Sequence, residues 1–176
     1  SGGDPAHIVV SPDGSTAYAT NGADGTLTII DVPTMTSTGT IAVGPSPHGL
    51  RPSPDGTRLL VANAGGTTVS LVDTQTGVTT SIEVGNKPVQ VAWAPDGSIA
   101  YVTLNGDDAL ARIDVASASV TATTPVGDGP VQVFVTPDGS RVLVANQGTE
   151  EAPISSLTVV DAATFLAIAE VPTGIG

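Results

Sequence analysis

Apolar and polar residues alternate in short runs, and each run stops at a cluster of Pro, Asp and Gly. The stretch Thr68-Val69-Ser70-Leu71-Val72, ending at Asp73, shows the rhythm: every second side chain is apolar or small, as on a pleated strand with two unlike faces. The same signals predict strands over 49–53, 58–63, 68–72 and 78–84, separated by Pro54-Asp55-Gly56, a loop through Gly65-Gly66, and a turn after Asp73. Proline presets φ for the first central turn position, aspartate bonds nearby backbone, and glycine accepts the conformation that follows.

This pattern repeats. Pro-Asp-Gly begins at Pro12, Pro54, Pro95 and Pro137, spaced 42, 41 and 42 residues apart. An apolar residue followed by Asp recurs at Asp31, Asp73 and Asp114, each 18 residues after the Asp of its Pro-Asp-Gly; Asp161 comes 23 after, so the fourth repeat carries a five-residue insertion near Gly148 to Pro153. The repeat units are 2–43, 44–84, 85–126 and 127–174, within a single region 1–176. Gly2, Gly44, Gly85, Gly127 and Gly174 hold equivalent positions.

Four strands per unit of this length match a propeller blade, whose sheet buries both faces against its neighbours. The expected fold class is therefore all-β: a β-propeller of four repeats, each a four-stranded antiparallel blade. Three arrangements are open: part of a longer propeller, a half-ring paired with a second copy, or a compact four-bladed ring. An exposed end blade would leave apolar surface in water, so self-association through open blade faces is expected where no further blade covers them. Aromatics are only 3% of the chain, and Trp93 and Phe134 are expected as large core fillers.

The second strand of each unit ends in a recognisable string: Tyr18-Ala19-Thr20-Asn21, Leu60-Val61-Ala62-Asn63, Tyr101-Val102-Thr103 with Asn105 one place late, and Leu143-Val144-Ala145-Asn146. Together with Pro-Asp-Gly before it, Ile/Val-Asp after it and the closing Val43-Gly44, Val84-Gly85 and Val126-Gly127, this resembles the YVTN-type β-propeller repeat family of surface-layer and YncE-like proteins. The resemblance covers essentially the whole chain. It implies an extracytoplasmic location, periplasmic, secreted or at the cell surface. Its propellers usually have seven blades, and relatives include lactonases and subunits of redox enzymes, yet no catalytic residue carries over, because a fold of this kind does not dictate a chemistry.

The charge is -12, from 17 acidic and five basic residues, a field that repels phosphate backbones and anionic headgroups; nucleic acid is not an expected partner, nor is membrane insertion. No apolar run approaches the roughly 20 residues of a spanning helix, and Ser1 opens the chain without a leader. Absence of cysteine removes disulfides and thiolate chemistry but does not choose a compartment. Eight of the acids are the repeated Asp13, Asp55, Asp96, Asp138, Asp31, Asp73, Asp114 and Asp161, read as turn formers; Asn21, Asn63, Asn105 and Asn146 are read as strand-end hydrogen bonders.

Residues that differ between units carry whatever is specific. The loops after each second strand and the connections into each first strand lie on one rim, with Asp4, Asp24, Asp107, Asp108, Asp128, Glu150 and Glu151. Binding is placed there and at the channel mouth, on His7, His48, Arg51, Lys87, Gln90 and Gln132. Asp24, Asp107 and Asp108 are candidate cation ligands, although the spacing of a calcium loop is missing and solvated loop acids are the simpler reading. His7 and His48 sit at successive positions of one connection in adjacent units, two imidazoles where a metal site ordinarily needs three ligands. Serine elbow, phosphate-cradling and zinc-helix motifs are lacking, so no catalytic residues and no cofactor are assigned. The expected function is a non-catalytic scaffold that binds protein or glycan; the alternative is part of a lactonase-like or redox-linked enzyme with a site at the channel mouth.

Overall fold

The computed structural model describes residues 3–148 and 154–175, all of them in strands and the turns between them. Residues 149–153 of the insertion near Gly148 to Pro153, Glu150 and Glu151 among them, lie outside the described residues, as does Gly2. Sixteen strands form four separate antiparallel sheets, each in simple up-and-down order. Blade 1 holds β1 (Pro5–Val10), β2 (Thr16–Asn21), β3 (Thr26–Asp31) and β4 (Thr36–Ala42). Blade 2 holds β5 (Pro47–Pro52), β6 (Arg58–Asn63), β7 (Thr68–Asp73) and β8 (Thr79–Glu83). Blade 3 follows with β9 (Pro88–Trp93), β10 (Ile99–Leu104), β11 (Ala109–Asp114) and β12 (Ser119–Pro125). Blade 4 comprises β13 (Pro130–Val135), β14 (Arg141–Asn146), β15 (Ile154–Asp161) and β16 (Leu166–Ile175).

Each Pro-Asp-Gly forms the expected turn. Gly14 N–H donates to Ser11 O, with counterparts at Gly56, Gly97 and Gly139, and these glycines sit at φ of 71 to 76°. In every one the Asp carboxylate accepts from the backbone N–H two residues on, at Ser15, Thr57, Ser98 and Ser140. The second set of aspartates caps the next turn in the same way, receiving the N–H of Thr34, Thr76, Ser117 and Thr164. The eight acids are turn formers, as read. The first strand of a blade begins two residues earlier than its alternation suggests, because a bulge between Pro47 and Leu50 breaks the period; blades 1, 3 and 4 carry the same bulge.

The first strands β1, β5, β9 and β13 touch one another in succession and form the inner edge. Between blades lie three apolar layers. Tyr18, Leu27 and Ile41 of blade 1 meet Leu50, Leu59, Val61 and Val72 of blade 2. Leu60, Val69, Leu71 and Ile82 then meet Val91, Val102, Leu104 and Ile113 of blade 3. Tyr101 and Leu110 meet Val133, Val142, Val160 and Phe165 of blade 4. Each fully buried Leu, Ile or Val contributes about 1.5–3 kcal/mol, so these layers hold the blades face to face.

The row of blades does not close. Ile8 and Val10 on the outer side of blade 1, and Phe134 and Val171 on the outer side of blade 4, are exposed. A compact four-bladed ring is therefore not what forms. Phe134 also corrects an expectation: at 57% exposure it is no core filler. Its position matches Ala92, which is buried only because blade 4 covers it. Trp93, half-buried against the layer between blades 2 and 3, does fill the core, and its Nε1–H donates to Arg51 O at 3.0 Å.

Candidate functional site

The rim that carries the β2–β3, β6–β7 and β10–β11 loops is stitched together by backbone bonds to the connections that enter the first strands. Gly22 N–H donates to Asp4 O, Gly65 N–H to Pro45 O and Asn105 N–H to Lys87 O. Both loop sets thus share one rim, as the repeat implied. The carboxylates placed there are occupied by the same stitching. Asp24 accepts from Gly3 N–H at 2.8 Å, Asp107 from Asn86 N–H at 2.7 Å and from its side-chain amide at 2.6 Å, and Asp108 from Gly129 N–H at 2.8 Å. The Asn86 bonds hold the Asp107 pKa below the ordinary carboxylate value. Among the described residues no three His, Asp or Glu side chains converge to hold a metal ion.

At the inner edge, β1 and β5 bring His7 and His48 together, with ring centroids 4.4 Å apart and planes tilted by 60°. Both histidines lie within the bulged part of their strands, between Pro5 and Ile8 and between Pro47 and Leu50. His48 Nδ1 lies 3.3 Å from Val89 O, which accepts from it when that nitrogen is protonated. Burial, then the charges of His48 and Arg51, pull the His7 pKa below 6.5. His7 therefore stays a neutral imidazole through the neutral range, able to accept or donate one hydrogen bond.

The remaining sequence candidates separate. Gln90 is buried against Gly49, the glycine of the neighbouring blade at its own repeat position; any Cβ there would collide with the Gln90 amide oxygen and Val89 O. Its Oε1 accepts from Val91 N–H at 3.1 Å, so Gln90 is held in the packing between the first strands of blades 2 and 3. Gln132 Oε1 is buried with no hydrogen-bond partner among the described residues. Lys87 is exposed in the β8–β9 connection at φ 50°, its N–H bonded to Gly66 O. His7 and His48 are the pair that the fold brings into contact, and the charge of Arg51 acts on His7.

One reading of the repeat is corrected. Asn105 is not the fourth member of the Asn set: Leu104 occupies that strand-end place, opposite Ala109, while Asn105 Nδ2 reaches to Pro130 O at 3.3 Å in the next blade. Sequence reasoning also passed over the opposite rim. Between the Pro-Asp-Gly turns of blades 2 and 3 opens a cavity of about 770 Å³, against 330 and 320 Å³ in the corresponding clefts on either side. The available signal was the alternation Tyr18, Leu60, Tyr101, Leu143 at one repeat position.

A family model described as a YNCE-like beta-propeller matches residues 4–103. Among solved structures, a chain of Kuenenia stuttgartiensis hydrazine synthase is 32% identical over 96% of this chain, with a TM-score of 0.91. This chain spans 49% of that one, about half its length. No curated protein matches.

Proposed function

The chain belongs to the YNCE-like beta-propeller family, and we propose that it acts there as a non-catalytic, extracytoplasmic scaffold whose inner rim binds a protein or glycan partner. The observation that carries this reading is the meeting of His7 and His48 at the inner edge, with Arg51 close enough for its charge to act on His7. The two imidazole rings and a nearby guanidinium supply directional hydrogen-bonding groups suited to hydroxyls and peptide carbonyls. The extracytoplasmic location rests on the family resemblance. The open faces of blades 1 and 4 are covered by blades of the same kind, in a longer chain or a second copy, since their exposed apolar side chains match those buried elsewhere.

An affinity matrix carrying the wild-type protein, compared with one carrying His7→Ala/His48→Ala, tests the binding role against the envelope fraction of the source cells. A protein or glycan retained by the first and lost from the second supports it; identical retention on both removes the imidazole pair from the proposal. Light scattering separates a second copy from further blades by mass.

The likeness to a hydrazine synthase chain favours a second reading, a propeller portion of a redox-linked enzyme. Under that reading, adding this propeller to its catalytic partner changes turnover, and the imidazole variants remove the change.

A further inference from the structure

The three clefts between blades on the Pro-Asp-Gly rim share their aspartates, so the acids are not what sets one apart. Each of the two small clefts holds a tyrosine, Tyr18 or Tyr101, and the large one holds none. In the cleft between blades 3 and 4, Tyr101 stacks on Phe165 with centroids 6.0 Å apart, and the Arg112 guanidinium lies 5.0 Å over the Phe165 ring. An aromatic pair capped by a cation fills that cleft, leaving 320 Å³. At the same repeat positions around the cleft between blades 2 and 3 stand Leu60 for Tyr101, Leu71 for Arg112 and Ala118 for Phe165. All three plug components are missing together, and the space they would occupy is open.

The walls of that space keep the character that suits the plug. Trp93 forms the inner wall, and the buried Leu71 and half-buried Ala118 line the floor. Asp55, Asp96 and Asp114 supply three carboxylates, against the single positive charge of Arg58. The bonds from Ser53 and Thr57 to Asp55, Ser98 to Asp96 and Ser117 to Asp114 lower their pKa values, so all three are ionised at neutral pH. A cavity of about 770 Å³ with an aromatic wall and a few polar groups has the dimensions of a small-ligand site.

We infer that the cleft between blades 2 and 3 is a binding site for an aromatic group carrying an ammonium or guanidinium, which takes the place that Tyr101, Phe165 and Arg112 fill next door. This site lies on the rim opposite the imidazoles and is independent of the function proposed above. Two sources share the chemistry: a free arylalkylamine, and an aromatic-basic segment of a polypeptide.

Trp93 is the only tryptophan, so its emission reports on this cleft alone. The purified protein is titrated with tyramine, with acetyl-Phe-Arg-amide and with the uncharged acetyl-Phe-citrulline-amide. Saturable change with tyramine alone identifies the free amine; saturation by the dipeptide, binding about tenfold tighter than its citrulline counterpart, identifies the peptide source. Leu60→Tyr restores one plug component and lowers affinity at least about tenfold, while Arg58→Gln removes the opposing charge and tightens binding about threefold. Should Leu60→Tyr fail to fold, Ala118→Phe makes the same test, because Phe165 adopts φ 56° where Ala118 adopts 49°. The inference is overturned if neither charged probe gives a saturable response, or if the folded plug variants bind as tightly as the parent.

Discussion

Blades 2 and 3 solve one local problem in opposite ways. At the end of β6, Asn63 is wholly buried; its Nδ2 donates to Thr68 Oγ1 at 2.9 Å and Ser70 Oγ at 3.0 Å, and its Oδ1 accepts from Gly44 N–H at 3.1 Å. The two amide donations recur in blade 1 from Asn21 to Thr26 and Thr28, and in blade 4 from Asn146 to Ser156 and Thr158, where Gly127 N–H turns instead to Thr158 Oγ1. In blade 3 the same places hold Leu104, Ala109 and Ala111, all buried, and these bonds are gone. The backbone has adapted: Gly85 turns to φ 130°, and a Cβ there would sit 2.8 Å from Leu104 Cδ1. The lesson is that a polar set and an apolar set are exchangeable whole, because a hydrogen-bonded group is expensive to bury only when its partner is removed.

Breaking the sets apart tests this, and the largest effect is expected in blade 3. Leu104→Asn gives up a buried leucine and strands an amide among alanines, a loss of about 4 kcal/mol in urea unfolding. Adding Ala109→Thr and Ala111→Ser restores more than half of it; no recovery in the triple variant would show that the blade scaffold, and not pairing, sets the cost. Asn63→Leu comes next. It leaves Thr68, Ser70 and Gly44 N–H without their partner and costs about 3 kcal/mol, with the triple Asn63→Leu/Thr68→Ala/Ser70→Ala returning to within about 1 kcal/mol of the parent. Gly85→Ala costs about 2 kcal/mol from its positive φ and the Leu104 contact, and hydrogen exchange at the start of blade 3 is the local readout.

The smallest effect concerns the turns, where blade 3 again lacks a polar partner. A hydroxyl donates to the turn aspartate from Ser11, Ser53 and Thr136, but Ala94 stands at that place before Asp96. Asp13 and Asp138 are pulled down to about 2, first by those hydroxyls and then by the N–H donors. Carboxyl NMR is expected to find Asp96 titrating above both, Ala94→Ser to lower it, and Ser11→Ala to raise Asp13. Since the folded pKa of Asp13 lies below its ordinary value of 3.8, its stabilisation is complete above that value and is lost as pH falls toward about 2. Acid unfolding that begins well above pH 4 would point to other groups.

Much of the architecture was readable before any fold was known. The 42-residue spacing, the Pro-Asp-Gly turns and the alternation of Thr68 to Val72 are local signals, and turns and strand faces are set by neighbouring residues. The proximity of His7 and His48 was half-readable, since equivalent connections in adjacent units place them side by side. Other features were out of reach. Asn105 stands one place late in the Asn set, and the register, in which Leu104 pairs with Ala109, shows that the whole polar set is exchanged for an apolar one. Phe134 looks like core, because the chain does not say which blade face is left uncovered.

The sequence by itself determined the repeat, the strands within each blade and the turns between them, since these depend on side-chain alternation and on residues with special backbone preferences. Only the tertiary structure decided which faces are buried, which imidazoles meet and which cleft stays open. Those outcomes depend on what stands opposite a residue across a blade interface, about 42 positions away, and no local pattern encodes the volume of a neighbour.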